Sequence, residues 1–160
     1  MRKLLLAAAF AGLGLLFVGV GVAQQHTHQP NHTATSAADT RQFVRFPDEL
    51  REHTLANMRD HLLALQEIQE ALARKQEDKA ARVAEERLGM TSLQLHGAHE
   101  VAKYMPRGMQ DAGSEMHRSA SRFAIEAQNA GVTGELRPAL EALSQVTAQC
   151  VGCHAGYRLK

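Results

Sequence analysis

The only two cysteines of this 160-residue chain stand three apart near its end, and a histidine follows the second: Cys150-Val151-Gly152-Cys153-His154. No other feature constrains the fold as much. Two thiols and an adjacent imidazole in the order C-x-x-C-H are the attachment site of a c-type haem. The thiols add to the two vinyl groups of one porphyrin, and the neighbouring histidine ligates iron on the proximal face. One haem c, covalently attached, is the cofactor this predicts. Two other chemistries use paired cysteines. A structural zinc site would need two more nearby ligands, and a thiol redox pair of the thioredoxin kind would need a βαβ setting.

The other end of the chain agrees with a haem reading. Arg2 and Lys3 are basic, Leu4 to Ala23 carries no charge, and Gly21-Val22-Ala23 reads as a cleavage site. Residues 1–23 are therefore expected to be a secretory signal peptide, which is left out of the fold. The alternative is a retained membrane anchor, since twenty uncharged residues can span a bilayer. The many Gly and Ala residues, and the polar Gln24-Gln25 directly after, favour cleavage. Export to the periplasm, as a soluble protein after cleavage, is the expected localisation. That compartment is oxidising. Haem attachment nevertheless needs both thiols reduced, so a Cys150–Cys153 disulfide is not the inference. The remaining 137 residues hold 16 basic and 17 acidic side chains. This balance gives no electrostatic case for nucleic acid or an anionic membrane.

Residues 24–45 are read as a flexible polar linker, with Pro30 and Asn31 in its middle. His26, His28 and His32 lie in it. They make a weak metal-scavenging arm or a linker that happens to contain histidines; the second reading is preferred, because no carboxylate or cysteine lies close in sequence. Residues 46–160 then form one domain with four helical patterns and no credible strand. Pro47 suits the first turn of the first helix, in which Leu50, Leu55, Met58, Leu62, Leu65, Ile68 and Leu72 repeat at three-to-four spacing. The second pattern runs from near Asp78 to before Pro106, with Val83, Leu88, Leu95 and Val101 as apolar positions and Gly89 and Gly97 inside it. The third runs from about Ala112 to Ala130 and carries Met116, Ala120, Phe123 and Ala127 on one side. The charged stretch Glu67 to Lys79 is read as a solvated surface and turn.

The fourth pattern runs from about Glu135 into the haem motif, with Pro138 in its first turn. Leu136, Leu140, Leu143, Thr147, Cys150 and His154 follow a three-four alternation, and Cys153 lies three residues from Cys150. One face is thus expected to carry the dry residues, the thioethers and the iron ligand together. Four amphipathic helices joined by short loops predict an all-α fold, an antiparallel four-helix bundle with its haem inside.

The motif at the extreme C-terminus resembles the cytochrome c prime superfamily, closest to its low-spin cytochrome c-556-like members. The resemblance covers roughly Phe46 to Arg158. The ending Cys150-Val151-Gly152-Cys153-His154-Ala155-Gly156-Tyr157-Arg158 carries an aromatic three residues after the histidine and an arginine four after it. Small class I cytochromes c usually place the motif near the start. The resemblance implies thioether bonds at Cys150 and Cys153, His154 as proximal ligand and Arg158 packed beside the haem. It also implies a bundle that often forms homodimers, and activities that divide between electron transfer and binding of small gases.

The division depends on the distal ligand. A thioether or imidazole there gives a closed, low-spin iron suited to passing electrons; an apolar residue leaves an open position. In the low-spin relatives a methionine of the first helix fills it, and Met58 is the best match. Its bland alternative is core filling. His61, one turn later, is the rival ligand. His53, His96, His99 and His117 are read as surface or boundary histidines. His96 and His99, i and i+3 on the second helix, face one metal together only if a third ligand exists, and none is evident. There is no nucleophilic triad, glycine-rich phosphate loop or metalloprotease signature, so no enzymatic activity is expected. The sequence predicts a low-spin electron carrier with His/Met ligation and a redox protein as partner. The alternative is a five-coordinate protein that senses or scavenges nitric oxide or carbon monoxide.

Overall fold

The computed structural model describes residues 38–160. The expected signal peptide, and the linker as far as residue 37 with His26, His28 and His32, lie outside the described residues. The elements in chain order are β1 (Gln42–Val44), α1 (Asp48–Ala73), α2 (Glu77–Arg87), α3 (Ala98–Ala102), α4 (Arg107–Thr133), α5 (Arg137–Gly156) and β2 (Tyr157–Leu159). The chain is mostly helical and all-α in class. No helix among the described residues is long and apolar enough to cross a membrane.

Helix boundaries follow local chemistry. Pro47 and Pro106 directly precede α1 and α4 in extended backbone, where a missing N–H costs no helical hydrogen bond. Gly134 ends α4 at φ 77°, the left-handed conformation that glycine adopts without Cβ strain. The expected second helix is broken. α2 stops at Arg87, a 3-10 turn spans Met90–Leu93, and α3 begins only after Gly97. Two local causes are visible. The Ser92 hydroxyl donates to the Gly89 carbonyl over 2.7 Å, which competes with continued helix. Gly97 sits at φ 61° and turns the chain. His96 and His99 therefore share no helix: His96 is buried in the turn and His99 is exposed. Leu95, expected on the apolar face, is also exposed.

Packing runs α1 on α2, α2 on α4 and α4 on α5. The main core is rich in alanine: Ala64 and Ala71 of α1, Ala80, Ala81 and Ala84 of α2, Ala120, Ala124, Ala127 and Ala130 of α4, and Ala139 of α5. Small side chains let helix axes approach closely, while Ile68, Leu88, Phe123 and Val146 fill the space between. Arg87 of α2 joins the Asp60 carboxylate and the Glu67 carboxylate of α1. Glu67 is thus a partner in an interhelical ion pair and not only a solvated charge.

Two helical faces differ from expectation. Leu62 was placed on the inner stripe of α1 but is 71% exposed; the buried row is Thr54, His61, Ala64, Ile68, Ala71 and Leu72. On α5, Leu140 and Thr147 are exposed, and the buried row is Ala139, Leu143 and Val146, continued by the half-buried Cys150. In both helices the large apolar residues suggested a stripe that is rotated from the true one. Alanine, which the packing needs, carried little weight in that reading. The four residues expected on one side of α4 (Met116, Ala120, Phe123 and Ala127) are all buried.

No strand was expected, yet β1 and β2 pair in parallel, Gln42 with Tyr157, Phe43 with Arg158 and Val44 with Leu159. Three residues per strand are too few for an alternating pattern to stand out. Val44 is buried with Phe46 and Val101, and Met105, Met109, Tyr157 and Leu159 pack around them. The expected linker boundary at residue 45 is therefore too late: the compact unit begins at Ala38. Its N-terminal strand is pinned to the residues that follow the Cys150–His154 stretch.

Candidate functional site

α1, the turn before α3, α4 and the end of α5 surround a cavity of about 440 Å³, a usual size for a small-molecule or cofactor site. Five of the six residues singled out in the sequence line it: Met58 and His61 from α1, Cys153 and His154 from α5, and Arg158 from β2. Cys150 lies one turn earlier, half-buried against the main core, with its Sγ 3.5 Å from the Val146 carbonyl. Both cysteines are free thiols. Burial raises the Cys150 thiol above the ordinary cysteine range, and it does the same for Cys153, with Cys150 adding to the effect. Two unbridged thiols three residues apart on one helix are the pair that thioether formation requires. His154 lines the cavity while remaining exposed.

Arg158 is held from two sides. Its guanidinium lies 3.6 Å over the Phe43 ring, and its Nη1 is 2.8 Å from the Asp39 carboxylate. Arg41 binds the same carboxylate over 2.7 Å. These hydrogen bonds from Arg41, with the charge of Arg158, hold the Asp39 carboxyl well below the usual carboxylate range. The Nε of Arg158 is buried without a hydrogen-bond partner. An unpartnered guanidinium nitrogen at a cavity wall suits an anionic group.

The donor set fits one haem c. The thiol pair and imidazole stand at one end of α5, a thioether and further imidazoles line the cavity from other elements, and Arg158 offers a donor for a carboxylate. Four of the chain's six methionines (Met58, Met105, Met109 and Met116) line the same cavity and give it soft, apolar walls.

The cavity also gathers residues that were read as surface or boundary positions. His96 and His117 are buried beside His61. Ring centroids are 4.6 Å apart for His61 and His96, 5.4 Å for His96 and His117 and 6.2 Å for His61 and His117. His61 Nε2 and His96 Nε2 approach to 3.4 Å. Asn57 of α1 donates to the His96 carbonyl over 3.2 Å and fixes the turn against the helix. Burial, followed by the neighbouring His96 and His117, pushes His61 down to about 4. Burial lowers His96 and His117 as well. Burial thus disfavours the charged form of all three. His53 and His99 are exposed, as expected. The two buried histidines were missed because a glycine-broken turn hides the direction of His96, and His117 follows directly on the core residue Met116. Comparisons with protein families, curated proteins and solved structures find no match to this chain, so its function is read from the chemistry of this cavity.

Proposed function

We propose that this chain is an exported, periplasmic c-type haem protein of the cytochrome c prime kind. In this reading α1, α2, α4 and α5 are an antiparallel four-helix bundle, and the protein is a low-spin electron carrier. One observation carries the reading: Cys153, His154 and Met58, from opposite ends of the domain sequence, line one cavity.

The bound haem would supply a one-electron ferric/ferrous couple. The chain's own residues do the rest. Cys150 and Cys153 would hold the group to α5 through both oxidation states. His154, in the last turn of that helix, would supply an imidazole to the iron. Met58, half-buried on α1, would supply a thioether, which favours the ferrous state more than a second imidazole would. Arg158, braced by Asp39 and Phe43, neutralises an acidic edge. The alanine-packed core and the methionine walls exclude water. No substrate is transformed, and the partner is another redox protein.

The experiment is an absorption spectrum of the matured protein before and after reduction. Sharp low-spin bands of His/Met haem support the carrier. A high-spin resting spectrum with rapid uptake of nitric oxide or carbon monoxide would assign the gas-binding role instead, and bis-histidine bands would assign the distal position to His61.

A further inference from the structure

We propose that the outer face of the β1–β2 ribbon is where the redox partner docks, and that this partner presents an acidic patch to it. The role in electron transfer rests on the proposed function; the place and charge of the surface do not.

Strand geometry defines the face. Successive side chains of a strand point to opposite sides. Val44 is buried with Phe46 and Val101. Arg41, Phe43 and Arg45 alternate with it, and all three are exposed. β2 brings Arg158 opposite Phe43 in the parallel register. The Arg158 guanidinium lies 3.6 Å from the Phe43 ring centre, and Lys160 Nζ lies 5.5 Å from it. Four cations thus gather about one aromatic ring that is 49% exposed. Asp39 answers two of them, Arg41 and Arg158. Arg45 and Lys160 make no salt bridge among the described residues and are left for a partner.

This local charge runs against that of the molecule. Without residues 1–23 the chain has 16 basic and 17 acidic side chains, and the carboxylates of a haem would add negative charge. A positive face on a slightly acidic body steers an acidic partner to one place. Aromatic and arginine side chains are also those that interfaces enrich. Arg41 and Arg158 line the cavity as well, so a protein seated on the ribbon sits at the wall of the cofactor's chamber. Other occupants fit less well. Two copies meeting through this face would oppose like charges. Anionic membranes are held by clusters of roughly four to eight basic residues, and only Arg45 and Lys160 are free here.

The test follows the ferrous holoprotein in stopped flow as it gives one electron to hexacyanoferrate(III), an anion. If the ribbon receives the anion, the rate falls as salt rises; if the charge of the whole molecule governs, the anion is repelled and the rate rises with salt. A falling rate is expected. Arg45→Glu/Lys160→Glu leaves Phe43, Arg158 and Asp39 in place. It should slow the reaction about tenfold at low salt and reverse its salt dependence. Lys79→Glu, at the start of α2 and one length of α1 away, should keep the falling rate. Hexacyanochromate(III), an anion that takes no electron, broadens amide resonances near the place where it settles. It should act on Phe43 to Arg45 and on Arg158 to Lys160. A rate that rises with salt, a double variant as fast as the parent, or broadening away from the ribbon would overturn the proposal. Sedimentation with phosphatidylglycerol vesicles that the double variant abolishes would give the face to a membrane and overturn it too. A chain that matures without haem refutes the proposed function and the electron-transfer role. Hexacyanochromate broadening at the ribbon would then still uphold the surface as one that receives acidic groups, and its absence would remove that as well.

Discussion

The guanidinium of Arg158 lies 3.6 Å over the ring of Phe43, although 114 residues separate them in the sequence. The contact joins the start of the compact unit to the residue four places after His154. Through it, β1 acts as a strap across the residues that follow the Cys150–His154 stretch.

Removing the ring tests the strap. Phe43→Ala should cost about 1 kcal/mol, the size of a partly exposed cation–π contact. Hydrogen exchange should quicken at Tyr157, Arg158 and Leu159, whose backbone β1 pairs. Unchanged exchange there would mean that β2 is held without β1.

Met58→Ala should convert the low-spin bands to a high-spin spectrum and open the iron to carbon monoxide. Bands identical to those of the parent would remove Met58 from the iron.

The buried histidines make stability depend on pH in a definite direction. His61 has its folded value near 4 against 6.5 in a free chain. Between these values the unfolded chain takes up a proton that the folded chain refuses. Stability is full above about pH 6.5 and is lost as pH falls toward 4. The loss from His61 is about 3 kcal/mol, and His96 and His117 add to it in the same direction. Denaturant titrations at pH 7 and pH 4.5 measure it, and His61→Gln should flatten the slope. A stability that rises on acidification would contradict the burial of neutral imidazoles.

Phe123 is fully buried at the centre of α4. Phe123→Ala should cost about 3–5 kcal/mol, read as a shift of the denaturant midpoint. A loss below 1 kcal/mol, roughly the cost of a surface change, would mean that the alanine-rich core collapses around the gap.

The helical class and the two long helices that bear Met58 and His154 were legible because each rests on local spacing. The C-x-x-C-H spacing put Cys153 and His154 on the last helix, and the resemblance singled out Met58 on the first; all three line one cavity. Three kinds of information were not legible. Gly97 and the hydroxyl of Ser92 break the second helix through backbone conformation and a side-chain bond, neither of which alters hydrophobic periodicity. The strap needs Phe43 and Arg158 to meet across the whole domain, which no sequence window spans. The rotation of the α1 and α5 faces reflects alanine: Ala64, Ala71 and Ala139 are fully buried but weigh little beside Leu62 and Leu140 when a stripe is drawn.

The central claim is that a porphyrin is bonded through sulfur to α5. Intact mass spectrometry of the exported, matured protein tests it most directly. The account predicts the mass of the processed polypeptide plus one haem, retained after denaturation and lost in Cys150→Ser/Cys153→Ser. A mature protein with the mass of the bare polypeptide would contradict it.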